Sequence, residues 1–129
     1  MSDPVTALLA AVQAGQPVPS ETLADDVVLD ATVPNWRFTC RGAERVRSQF
    51  AQWYADPGEF ESLIRTRIPG GELVEFVLTW TEAGVPYAAH QAHVIEISDG
   101  RIAKDTVFCG GRWDAGLLAE MEEAGHAVA

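Results

Sequence analysis

The sequence predicts an α+β fold: a strongly curved, mostly antiparallel sheet packed on N-terminal helices and bent enough to enclose an internal pocket. Three observations carry this. Helical patterns dominate the first half of the chain and extended ones the second, a segregation that argues against alternating βαβ units. Between Leu73 and Trp113, three runs rich in β-branched and aromatic residues (Leu73–Glu82, Pro86–Ser98 and Arg101–Cys109) are broken only by Ala83-Gly84 and Asp99-Gly100. Asp-Gly between such runs is hairpin chemistry, because glycine takes positive φ without steric cost. Finally, 129 residues at 47% hydrophobic content suffice for one domain, spanning 1–129, whose core needs neither disulfide nor metal.

In chain order, Pro4 to Ala14 reads as a helix with Leu8, Leu9 and Val12 on one face, and Gly15 is placed to end it. Two prolines in Gly15–Ser20 exclude regular structure there. Ser20 reads as the N-cap of a short helical turn over Glu21–Ala24. Val27–Val33 is the first strand candidate, and after Pro34-Asn35 the segment Trp36–Arg41 returns as its hairpin partner. The clearest helix is Ala43–Ala55, with Val46, Phe50, Trp53 and Tyr54 on one side. Asp56-Pro57-Gly58 stops it. Phe60–Ile68 alternates like a strand and is closed by Pro69-Gly70-Gly71. After the three strand-like runs, Asp114–Val128 forms a last helix, with Asp114 as N-cap and Leu117, Leu118 and Met121 on one face.

Charge excludes whole function classes. Nine basic against 19 acidic residues give −10, and no Lys/Arg cluster is present to release counterions from nucleic acid or to bind an anionic membrane. No apolar run approaches the roughly 20 residues that span a bilayer. The N-terminus lacks the basic start of an export signal, so Cys40 and Cys109 are expected as reduced thiols in a cytoplasm. An apolar small molecule or another protein fits this chain better as a partner.

The stretch LADDVVLDATVPNWRFTCRGAERVRSQFAQWY, followed by HVIEISDGRI, resembles the nuclear-transport-factor-2-like superfamily. That group includes SnoaL-like polyketide cyclases, ketosteroid isomerases, limonene epoxide hydrolases and scytalone dehydratase. The resemblance runs from about Leu8 to Trp113. It rests on Ala24-Asp25-Asp26 before the first strand, Arg41-Gly42 before the second long helix, and Asp-Gly-Arg-Ile at 99–102. It implies a cone-shaped α+β barrel with a deep pocket, usually a homodimer through the outer sheet face. Steroid isomerisation is disfavoured: the general-base carboxylate would fall on Ala31, while Asp30 lies one residue away and so on the opposite face. The first helix has no tyrosine to match the isomerases' donor, and the arginine–aspartate arrangement of the epoxide hydrolases is missing. The chain is closer to cyclase-like members, which use an aspartate and a histidine on the last strands as acid and base.

Turn register decides which side chains meet. If Ser98-Asp99-Gly100 is a three-residue turn, His93 lies opposite Asp105 and Ala89 opposite Cys109. If Asp99-Gly100 alone turns the chain, His93 faces Thr106. The resemblance favours the first and implies that Asp105, Val107 and Cys109 line the pocket. Asp105 as base, with His93 as its partner or oxyanion donor, is therefore the candidate catalytic pair for proton transfer beside a carbonyl. The same two residues also read as a structural hydrogen bond within a sheet. His90, three residues from His93, points to the other face, so no shared metal site is expected. It fits a surface or dimer interface, and His126 fits solvent. Cys109 reads as pocket lining rather than nucleophile, and no cofactor motif is present. Trp36 and Tyr54 are chosen as further ligand-binding residues, because the first hairpin and second helix border the opening in this fold. Two functions follow: an isomerase, cyclase or dehydratase using acid–base catalysis on an apolar carbonyl compound, or a non-catalytic ligand-binding or accessory dimerisation module.

Overall fold

Asp3 starts the first helix of the computed structural model, which describes residues 3–125. In α1 (Pro4–Ala14), Asp3 Oδ1 accepts the Val5 N–H at 3.1 Å, and Pro4 stands where a helical amide would have no partner. Val5, Leu8, Leu9 and Val12 are its buried side, and Gly15 at φ 64° closes it as expected. The anticipated helical turn is a shorter 3₁₀ turn over Ser20–Thr22, and Ser20 does not cap it. Strand β1 (Leu23–Val33) starts earlier than predicted. Leu23 is fully buried and pairs with Ile102, which extends the chain before a helix can continue.

β1 pairs with β2 (Trp36–Arg41) around Pro34-Asn35, where Asn35 takes φ 62°. Helix α2 (Ala43–Trp53) buries Val46 and Phe50. Four long strands follow: β3 (Gly58–Ile68), β4 (Gly71–Glu82), β5 (Val85–Ser98) and β6 (Arg101–Asp114). Helix α3 (Ala115–Gly125) is capped by Asp114, whose Oδ1 accepts the Leu117 N–H at 2.9 Å. The predicted end of that helix, and His126, lie outside the described residues.

The six strands form one sheet in the order β2-β1-β6-β5-β4-β3, antiparallel except for the parallel β1–β6 pair. It is curved but not closed, with β2 and β3 at its edges. One face carries Leu29, Ala31, Val74, Phe76, Ile95 and Val107, which pack against the buried sides of α1 and α2. Strand alternation sends the intervening residues outward.

The β5–β6 register corrects both expectations. Asp99 (φ 53°) and Gly100 (φ 75°) form a two-residue turn with positive φ at both positions, so Ser98 faces Arg101 and Ile97 faces Ile102. A bulge then leaves Ala103 without a partner, and beyond it His93 faces Val107 while Ile95 faces Asp105. Neither Asp105 nor Thr106 is therefore directly opposite His93. Because side chains alternate with period two, this single extra residue returns His93 and Asp105 to the same face as diagonal neighbours. The same register sets Cys109 opposite Gln91, not Ala89, and a second bulge at Gly110-Gly111 then sets Ala89 opposite Arg112. Gly111 sits at φ 122°, and a Cβ there would come within 3.3 Å of Pro34 Cγ. β6 accordingly runs past its predicted end at Cys109 to Asp114.

Candidate active site

Within the concave face, the pleat of β5 and β6 aligns Gln91, His93, Asp105 and Cys109. The end of α2 supplies the fifth group. Tyr54 takes a non-helical conformation just after the last helical residue, with its N–H bonded to Phe50 O at 2.8 Å. Its side chain is buried, and its hydroxyl donates to Gln91 Oε1 at 2.5 Å. Tyr54 Oη also lies 3.4 Å from His93 Nε2, which is 3.1 Å from the same Gln91 oxygen. On the far side of the ring, His93 Nδ1 meets Asp105 Oδ2 at 2.8 Å. Phe76 stacks on the imidazole, with centroids 5.3 Å apart and planes at 28°. Four polar groups thus form one line through the core: Asp105, His93, Gln91 and Tyr54.

The line ends at a cleft of about 450 Å³, a volume suited to a small organic molecule. Tyr54, Gln91 and Cys109 lie at its base, Trp53 and Leu78 form apolar walls, and Arg112 sits at the rim. Cys109 Sγ receives the Gln91 Nε2 and Gly111 N–H groups, each at 3.4 Å, so the thiol is held in place. Both cysteines are free.

The predicted residues distribute unevenly. His93 and Asp105 touch, but at 2% and 1% exposure neither lines the cleft. Asp105 is behind His93 and cannot itself take a proton from a molecule in the cleft. Tyr54 and Cys109 are cleft residues. Val107 is not: it is fully buried, because its place opposite His93 sets it against core residues of α1 and α2. Trp36 is not either. It shares the inward parity of Phe38 and Cys40, but at the tip of an edge hairpin nothing covers it, and it is 69% exposed. Asp30 faces outward and binds Arg37 through two oxygens at 3.0 and 2.8 Å, as its parity with respect to Ala31 requires. His90 is exposed on the outer face. Sequence reasoning missed Gln91 and Arg112. Gln91 stands two residues from His93 and shares its face, so simple alternation would have found it. Arg112 depends on the bulge.

Burial and the nearby Asp105 charge push the Tyr54 phenol well above its ordinary range, so it is a neutral hydrogen-bond donor. Asp105 Oδ1 is buried with no partner among the described residues, although its sister oxygen is paired. Among the described residues, no group of His, Cys, Asp and Glu side chains is arranged to hold a metal ion. None of the described helices is long and apolar enough to cross a membrane.

The sequence profile of the SnoaL-like domain matches residues 5–104. The chain belongs to the SnoaL-like family. Solved structures agree on the fold of this SnoaL-like chain. An NTF2-like protein from Anabaena variabilis superposes with a TM-score of 0.72 at 16% identity, covering 83% of this chain and 84% of that one. A protein with a ketosteroid isomerase-like fold from Catenulispora acidiphila, solved with trimethylamine, gives 0.63 at 19%, over 85% and 87%. An LEH-like epoxide hydrolase from M. tuberculosis gives 0.63 at 18%, over 82% and 79%. At these identities the likeness establishes architecture, not reaction. No curated protein matches the sequence.

Proposed function

We propose that this SnoaL-like protein is an acid–base enzyme, an isomerase, cyclase or dehydratase, acting on an apolar carbonyl-containing small molecule. The observation that carries this is the buried line Asp105–His93–Gln91–Tyr54, which starts at a half-satisfied carboxylate and ends at an apolar cleft. Tyr54 touches the ligand. Its hydroxyl oxygen takes the α-proton of the ligand as its own proton passes to His93 Nε2, so one proton moves from carbon to imidazole and the phenol ends neutral. Asp105 balances the resulting imidazolium through Nδ1 and fixes the ring's orientation. Running backward, the same relay returns the proton. The Tyr54–His93 separation of 3.4 Å has to shorten for transfer, as unliganded catalytic contacts commonly do. Gln91 bridges the two, and its amide can present either oxygen or nitrogen to the imidazole, matching a protonated or a neutral ring.

The decisive measurement is exchange of α-protons in D2O, followed by NMR, for apolar ketones that bind the cleft. Exchange above the buffer rate is expected. Its absence for every ketone that binds would leave the second reading, a ligand-binding module whose polar line is structural. The near-complete enclosure of His93 and Asp105 is what favours that alternative.

The reading includes a homodimer through the outer sheet face and a cytoplasmic setting with reduced thiols. That face carries Phe108 at 51% and Ile64 at 54% exposure, with Ala92 and Glu75 joining them across β5 and β4. The two exposed apolar side chains on this face support it as the contact surface. Phe108→Glu is expected to turn a dimer into a monomer in sedimentation velocity. An unchanged dimer would place the contact elsewhere.

A further inference from the structure

The Gly110-Gly111 bulge puts an arginine where strand alternation would not. Counting in twos from Cys109, the concave face would continue through Gly111 to Trp113 and leave Arg112 outside. The bulge brings Arg112 opposite Ala89 instead, and both line the cleft. Its guanidinium carbon lies 5.6 Å from the Trp80 ring centroid and 5.1 Å from that of Tyr87. These two rings are themselves stacked, 5.6 Å apart with 13° between their planes. Aromatic faces hold a guanidinium plane in a fixed orientation.

The charge partner of Arg112 is Glu82, which also accepts the Trp80 indole N–H at 3.1 Å. Among the described residues the other guanidinium N–H groups make no hydrogen bond. The pair is half exposed, at 56% and 41%, so solvent screens it and exchanging Glu82 for another carboxylate costs little. In a chain with nine basic residues and a charge of −10, Arg112 is the cation that lines this cleft.

We propose that Arg112 selects the ligand by binding a carboxylate, so that the compound taken up is an apolar carbonyl compound with an acidic end. The carboxylate sits at the rim in the fork of Arg112, and the apolar body lies between Trp53 and Leu78. The carbonyl reaches Tyr54 at the base. This rests on the proposed use of the cleft and adds to it the charge of the ligand.

The test is calorimetric titration with a matched pair of probes, naphthalene-2-acetate and naphthalene-2-acetamide. Wild type is expected to prefer the carboxylate by about tenfold, the scale of one charge-assisted contact. Arg112→Gln should abolish that preference and leave amide affinity unchanged, which also shows the cleft to be intact. Glu82→Gln removes the competing carboxylate and should raise acetate affinity several-fold, a result that does not depend on the arginine variant folding. Equal affinity in wild type, or a preference that survives Arg112→Gln, overturns the role of Arg112 and leaves the cleft reading standing. If neither probe binds, the role of Arg112 falls, and the reading of the cleft is decided separately by ketone exchange.

Discussion

Asp105→Ala is expected to cost about 3–5 kcal/mol of folding free energy, the usual penalty for deleting one member of a buried pair. The side chain is 1% exposed, and His93 Nδ1 would lose the partner it meets at 2.8 Å inside the core. Guanidinium denaturation of wild type and variant measures the difference. Asp105→Asn separates structure from chemistry. An amide of the same size still accepts the Nδ1–H, so the stability loss should stay near the roughly 1 kcal/mol of a neutral hydrogen bond. It cannot balance an imidazolium, however, and ketone exchange should fall about 10²- to 10⁴-fold, the range of general acid–base catalysis. If the asparagine variant loses as much stability as the alanine variant, and wild type shows no exchange, the pair is architectural.

Tyr54→Phe is expected to lower the exchange rate about 10²- to 10⁴-fold, as removal of a positioned proton-transfer group does. The ring stays packed against Phe50 and Trp53, with centroids 6.2 and 6.1 Å away, so the stability loss should stay near the roughly 1 kcal/mol of the hydrogen bond to Gln91. Ligand affinity, measured by titration, should fall far less than rate, because the hydroxyl does its work only as the proton moves. A pH dependence follows from burial and the Asp105 charge, which hold the phenol protonated above its ordinary range. Raising the pH through the normal tyrosine range should not switch off the proposed exchange in wild type. An activity loss there, absent from the phenylalanine variant's residual rate, would show that the phenol is not so protected.

Much of this architecture is readable from residue order, because the strongest signals are local. Gly15, Asp99-Gly100 and Asp114 each act within a few residues, and the helices and turns they define lie where expected. Strand ends and register are not local. β1 is lengthened by Leu23 meeting Ile102, a contact no nearby residue announces. The His93–Asp105 contact is present although the turn predicted for it is not, because the bulge at Ala103 supplies the parity that a three-residue turn would have given. Trp36 fails as a cleft residue for a related reason. Its parity is inward, but parity says nothing of how far the covering helices reach. Gln91 was within reach of alternation from His93, whereas Arg112 lay behind a glycine pair whose bulge has no mark beyond the glycines themselves.

The parallel β1–β6 ladder has a consequence for how the molecule comes into being. β1 gains its second neighbour only from a strand that begins at Arg101. On the ribosome, the first hairpin and helices must therefore wait, with one sheet edge bare, until the segment from Arg101 to Asp114 has emerged. Pairing between such distant segments slows folding, and unpaired edges invite association between nascent chains. The polar cluster of Tyr54, Gln91, His93 and Asp105, drawn from the end of α2 and from β5 and β6, is in the same position: it is completed only when β6 slots in between β1 and β5.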